Sequence, residues 1–556
     1  MDAKKADVVF HIQDEPKLKR KLQARHLEMI AIGGTIGTGL LKKSGGAIFT
    51  AGPLGALLCY AIIGLQVFGV ATSIGEMATF LPIDGAFSAL PTRFVNPSLG
   101  FASGWNYWLN WALTLPAELS AVAGLMTWWV PQSTVQGWIW SLTYLVPLAG
   151  VNMIGVDGFG EVEFVLSIVK IIAIVIFLLI GTAVWFGAGG NTGPLGFRNW
   201  SPPIQGSDPF NQFLNVAGAF TTAFFSFGGT ELVGLTAGEA ANVRKSVPKA
   251  INGTFYRILI FYIGSIFIVG VLLPPNSEIL NPDNPAGIAQ SPFVYVFSIV
   301  GIPAAADIMN GVIIVAAISA ANSAIYACSR TLLRLAADGS APSILARVNK
   351  QGVPMLALAV SLSFGLVAVV GSYAAGPTGS DKVFGWLSQL ISLGIMAAWM
   401  VMSLTHLRFR YGYLAQGKKL SDLPYIAPFF PYADILSLSI GGVVTCFMLM
   451  FSFYQGNFVA TEECPTYFCT TWFINNSWVY CGVPLVVGLF VGHALYTGSK
   501  SGKGLLSGFT LVRYEDMDFE TGRYVETEEE IAENARDAAK PKGMVNWAKS
   551  MVSKKE

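Results

Sequence analysis

Charge is scarce in this chain. Of its 556 residues 12% are Asp, Glu, Lys or Arg, about half of the ~25% usual in soluble domains. Lys and Arg number 35 against 34 Asp and Glu, so there is no basic excess of the kind that holds nucleic acid. Six cysteines are too few for a disulfide-built scaffold. Cys59, Cys328, Cys446 and Cys481 stand in apolar runs, where sulfur packs as a small hydrophobe. His11, His26, His406 and His493 share no metal-ligand spacing, and there is no Walker-type phosphate loop, which argues against ATP-driven pumping. No metal, no cofactor and no enzyme chemistry is expected. The first 26 residues are polar and basic and lack an apolar segment with a cleavage site, which reads as a cytoplasmic N-terminal tail rather than a removed signal.

What the chain has is apolar length. Its mean hydropathy is +0.54, and a helix needs ~20 apolar residues to cross the hydrocarbon core. Runs that qualify are Leu27–Phe49, Leu54–Phe80, Ser98–Trp129, Gly137–Gly155, Phe159–Phe186 and Phe213–Ala237. They continue with Ala250–Pro274, Pro303–Ala336, Pro354–Tyr373, Lys382–Arg408, Ile435–Phe453 and Trp478–Thr497. Twelve spans are therefore expected within a membrane domain over residues 27–497, followed by a charged tail over residues 498–556. That tail reads either as a solvated, partly helical segment or as a regulatory one that recruits partners.

Basic residues orient the spans. Lys17, Lys19, Arg20, Lys21 and Arg25 precede the first span, and Arg93, Arg244, Lys245, Lys249, Arg347, Lys350, Lys418 and Lys419 follow even-numbered ones. Both tails are expected inside; Lys42 and Lys43, at the outer end of the first span, run against the pattern. The last outer connection, "EECPTYFCTTWFINNSW", carries a candidate disulfide, Cys464 with Cys469, and a candidate glycosylation site, Asn475. The second sequon, at Asn252, lies beside the inner basic trio and should stay bare.

Two spans break the helical rule. "GGTIGTG" at 33–39 and "GGTELVG" at 228–234 both read Gly-Gly-Thr-x-x-x-Gly, five spans apart. Paired glycine-interrupted spans point to an inverted-repeat transporter with discontinuous helices. Unwound backbone is tolerated at mid-membrane only around a polar cavity. Half-helix N-termini favour a carboxylate and broken C-terminal carbonyls favour a cation, and an α-amino acid carries both. The alternative is that the glycines simply allow close helix packing. A β-branched residue at Gly37 or Gly229 is expected to fill the break.

Three intramembrane charges accompany the breaks. Glu231 lies inside the second of them. Glu118, mid-way along the third span with Asn110 and Thr114 one and two turns before it, can hold a substrate amine, relay a proton or pair structurally. Lys170, in the fifth span, either titrates as part of a proton-driven cycle or snorkels to the inner surface near Glu161. Glu239 is expected to pair with Arg244 or Lys245, and the aromatics of "GWNYWLNW" to pack or anchor rather than stack ligand.

"HLEMIAIGGTIGTGL", "NPSLGFASGWNYW", "GEVEFVLSIVKIIAI" and "FSFGGTELVGLTAGEAANVRKSVPKAI" closely resemble the fungal amino-acid permeases, the yeast amino-acid transporter family of the amino acid–polyamine–organocation superfamily. Val243 departs from the usual Asn-Pro-Arg-Lys of that family. The resemblance implies an all-α, leucine-transporter-like fold of five plus five inverted spans with two appended, and proton-coupled amino-acid symport at the plasma membrane. It implies that Thr35, Ile36, Gly37, Thr38 and Gly39 take the substrate carboxylate and that carbonyls around Ser226 and Phe227 take the α-amino group. Gly228, Thr230 and Glu231 complete the second break, and Lys170 stands where sodium-coupled relatives hold an ion. Substrates are expected to be basic or broad-range amino acids, with Glu118 the partner for a cationic side chain. The rival reading is a non-transporting amino-acid sensor; export or exchange is a third.

Overall fold

The computed structural model describes residues 24–30, 36–83, 85–154, 156–188, 193–240, 242–281, 291–299, 301–458, 470–525, 527–528 and 530–532. Among these residues every regular element is helical. Among the described residues nine helices are long and apolar enough to cross a membrane by themselves. The expected twelve are recovered once three features are recognised.

The first and second spans run together as one 42-residue helical stretch, Gly39–Phe80, which reverses at Gly52 (φ +77) before Pro53. The 203–205 loop closes on this turn, with Leu54 N–H donating to Pro203 O and Gln205 N–H to Ala51 O. A side chain at Gly52 would meet Pro203 O at 2.6 Å, so glycine is required by both conformation and space. The third span (Pro97–Met126) is long enough, but Asn106, Asn110, Thr114 and Glu118 on it dilute its hydropathy. The sixth (Pro209–Phe227, then Leu232–Thr236) is broken.

The remaining spans fall close to their predicted runs: Gly137–Ile154, Val156–Trp185, Val243–Leu272, Pro303–Ala337, Met355–Ala374, Gly379–Ala415, Tyr432–Phe458 and Thr470–Lys500. The third and eighth spans pack along each other, and the tenth and fifth close on them. With the broken first and sixth spans they surround the centre of the domain. Cys59 and Cys328 pack inside as expected, whereas Cys446 and Cys481 are exposed on the outer helices.

The C-terminal segment corrects the expectation of a wholly solvated tail. Residues 505–525 lie as a strap across one end of the second, third and tenth spans and the helix Ala86–Phe94. Val512 N–H donates to Val95 O, Asn96 Nδ2 to Gly508 O and Thr510 O, and Arg93 to Thr521 O. Phe519, 1% exposed, meets the rings of Phe94, Phe409 and Tyr413 at 5.2–5.5 Å. Because a buried Phe→Ala change costs ~3–5 kcal/mol, Phe519→Ala should lower the thermal unfolding midpoint of the purified protein clearly. An unchanged midpoint would mean that the strap adds no stability.

Candidate substrate cavity

Both breaks are visible in the backbone. Helix Pro209–Phe227 stops at Gly228 (φ −54, ψ 140); Gly229 follows at φ +95, a conformation costly to any residue with a Cβ. Helix resumes at Leu232. In the first span Ile36 and Gly37 are non-helical and helix begins at Thr38. Thr35 lies outside the described residues. The two broken segments touch: a Cβ at Gly39 would stand 2.5 Å from Ser226 Cα.

Between them is a cavity lined among others by Gly37, Gly39, Glu118, Ser226, Gly228 and Glu231. Six of the sequence-predicted residues thus meet at one place. The others back it. Thr38 Oγ1 donates to Glu118, 3.0 and 2.9 Å from its two oxygens. Thr230 Oγ1 donates to Phe227 O (2.7 Å) and accepts from Arg257 (2.8 Å). Phe227 turns its ring away to stack on Tyr262, and Ile36 is fully buried. Glu231 accepts from Trp399 Nε1 at 3.2 Å.

The cavity also draws in residues that hydropathy does not mark. Asn110 and Ser323 line it, and Asn110 Nδ2 and Ser323 Oγ are buried and without a hydrogen-bond partner among the described residues. Such groups cost free energy unless a ligand or water satisfies them. Tyr107 and Trp111 form part of the wall, so the "GWNYWLNW" aromatics do more than pack. Arg257, 1% exposed, is the charge that sequence reading passed over, although an arginine inside "YRILIFYIG" is itself the signal.

An amino acid permease family model matches residues 26–502. The chain belongs to the amino acid permease family. It is 41% identical over 495 residues to the lysine-specific permease LysP of Lactococcus lactis, covering 87% of this chain and 92% of the relative. Identity to the lysine-specific permease LysP of Escherichia coli is 37% over 508 residues, covering 91% and 97%. The general amino-acid permease GAP1 of Saccharomyces cerevisiae is 36% identical over 520 residues, covering 93% and 82%. The protein is a multi-pass membrane permease, an amino-acid importer by family.

In the permease, Lys42 and Lys43 explain their own anomaly. Lys42 pairs with Asp381 of the tenth span at 2.8 Å, and Lys43 donates to Ser388 and lies over the rings of Phe225 and Phe384. Both are turned toward the tenth span, Lys42 buried and Lys43 half-buried. Lys170 is fully buried and does not snorkel: it donates to Ser319 Oγ at 2.7 Å and lies 3.4 Å from Glu163 Oε1. Glu161, half exposed, pairs instead with Arg25 and lies 3.1 Å from His26 Nε2. Glu239 accepts from Tyr326 (2.9 Å) and Arg330 (3.1 Å) of the eighth span, partners the sequence did not single out. Cys464 and Cys469 lie outside the described residues. Asn475 falls within the first turns of helix Thr470–Lys500, where sequence reading placed a loop.

Proposed function

We propose that the permease is a proton-coupled importer of the plasma membrane with both termini cytoplasmic, and that it favours amino acids with a cationic side chain. The observation that carries the substrate reading is the pair of buried carboxylates, Glu118 and Glu231, in one cavity with two broken helices. A bound zwitterion would present its carboxylate to the backbone amides at Gly37–Gly39, where helix begins and its dipole favours negative charge. Its ammonium would meet the broken end of the sixth span. Phe227 O already accepts from Thr230 N–H and O–H, which leaves Ser226 O as the freer acceptor. A second positive charge on the substrate would find Glu118 or Glu231, since a buried carboxylate is stabilised by an opposite charge close by. The names of the relatives agree in part: lysine-specific and basic amino-acid permeases stand beside general ones.

Uptake of labelled amino acids into cells lacking their own permeases tests this, with a competition panel. Lysine and arginine should compete more strongly than leucine or glutamate; no preference would leave a broad-range carrier. Coupling is tested at Lys170. A fully buried ammonium held by Ser319 and Glu163 is one whose charge depends on its surroundings. Lys170→Ala should abolish uphill accumulation at acidic external pH, Lys170→Arg should hold the carrier in one charged state, and sodium should be dispensable throughout. Normal pH-dependent accumulation by Lys170→Ala would rule out this lysine as the coupling group.

A further inference from the structure

Glu163 was not among the residues singled out from sequence, yet it is fully buried in the same span as Lys170, two turns nearer its N-terminal end. Between the two stands Ser319 of the eighth span, also fully buried. Lys170 Nζ donates to Ser319 Oγ at 2.7 Å, and Ser319 Oγ donates onward to Glu163 Oε1 at 2.5 Å, while the direct Nζ–Oε1 separation is 3.4 Å. The hydroxyl accepts on one side and donates on the other. That is the arrangement a proton relay requires.

We propose that Ser319 relays the Lys170 proton to Glu163, which serves as the inward proton station of the permease. The proposal rests on the proton-coupling reading above and deepens it. In the step, a Lys170 N–H bond breaks as its hydrogen bonds to Ser319 Oγ. At the same time the former Ser319 O–H bond breaks and an O–H bond forms on Glu163 Oε1. Lysine ends as amine, glutamate as acid and serine unchanged, with no other reactant.

The trio is neutral before and after. No unpaired charge is created in an interior where an isolated ion would cost several kcal/mol. Glu163 Oε2 is buried and has no hydrogen-bond partner among the described residues, so the carboxyl keeps a second oxygen for onward release. The Glu163 backbone lies seven residues, ~10 Å at 1.5 Å each, nearer the end where Glu161 is half exposed, although the handover itself spans only the 3.4 Å between Lys170 Nζ and Glu163 Oε1.

The charged and titratable groups facing this region are few. Glu118 of the third span is near enough for its charge and that of Lys170 to act on each other. Arg25 and His26 of the short helix Ala24–Met29 engage Glu161. Tyr326 and Arg330 of the eighth span engage Glu239; of the phenols on the fourth and seventh spans, Tyr144 reaches Met126 Sδ and Tyr262 stacks on Phe227.

The test uses the full-length permease in proteoliposomes with labelled lysine. It compares accumulation driven by an acidic exterior with counterflow, which exchanges substrate without a proton gradient. Glu163→Gln and Ser319→Ala should each cut driven accumulation at least tenfold while reducing counterflow less than threefold. Substrate-linked acidification, followed by a trapped pH dye, should fall with accumulation. Ser319→Thr, which keeps the hydroxyl, should restore both to within about twofold of the wild type. Wild-type accumulation by Ser319→Ala, no rescue by Ser319→Thr, or equal loss of counterflow and accumulation would each overturn the relay. If Lys170→Ala uncouples transport and these two variants do not, the relay fails alone. If Lys170→Ala stays coupled, the proton-coupling reading fails with it.

Discussion

Replacing Gly39 by alanine should leave the permease in the membrane and abolish uptake. The added methyl would stand 2.5 Å from Ser226 Cα, 2.9 Å from Ser226 N and 3.0 Å from Phe225 Cδ1. The first two are backbone atoms at the end of a helix, which cannot rotate aside as a flexible side chain would. One broken segment must move by about 1 Å before the contact becomes ordinary, and positioning errors of ~1 Å can cost ~10²-fold in function. Gly229→Ala should follow in severity, because φ +95 disfavours an L-residue by ~1–3 kcal/mol. Gly37→Ala should be mildest, since its methyl would meet only the side chains of Ala320 at 3.3 Å and Glu118 at 3.4 Å; valine there should be worse. Gly442, with nothing within 4 Å, is the control that should tolerate alanine. Surface fluorescence of a tagged protein, read together with uptake of labelled amino acid, separates transport from insertion. Full uptake by Gly39→Ala at normal surface level would show that the two broken segments do not need to touch.

Glu118→Gln should lower lysine and arginine uptake by two to three orders of magnitude and neutral amino-acid uptake far less. Leaving one partner of a buried charge pair unmatched costs ~3–5 kcal/mol, and ~1.4 kcal/mol is a factor of ten. Glutamine keeps the shape and can still meet the Thr38 hydroxyl, which lies 3.0 and 2.9 Å from the carboxylate oxygens. The substitution therefore removes charge while disturbing the break little. A competition panel run on the variant reads the selectivity directly. Equal loss for all substrates would move Glu118 from side-chain recognition to proton relay or to support of the first span. Its electrostatic proximity to Lys170 makes that the outcome to watch.

Much of the site was legible along the chain. Gly37 and Gly39 of the first glycine pattern, Gly228 and Gly229 of the second, Glu118 and Glu231 all converge on one cavity, because glycine and a charge are both costly in a lipid-facing helix and so mark where a span faces something else. Arg257 carried the same signal and was missed only for want of a neighbouring break. Ser323 and Ser319 carried none: a serine in a membrane helix satisfies itself on the preceding turn so often that its presence says nothing about a ligand or a relay.

Sequence alone determined how many times the chain is expected to cross the bilayer, where two crossings break, and that Glu118, Lys170 and Glu231 are buried at depth. These are local properties, since a bilayer solvates each segment by its own hydropathy and each backbone group by its own hydrogen bonds. Only the tertiary structure decided what those charges meet. Lys42 finds Asp381, 339 residues away; Lys170 finds Ser319, 149 away; and the C-terminal strap finds Val95 and Phe94 across more than 400 residues. Which spans become neighbours depends on side-chain packing and on pairing every buried charge at once, and no short window of sequence contains that condition.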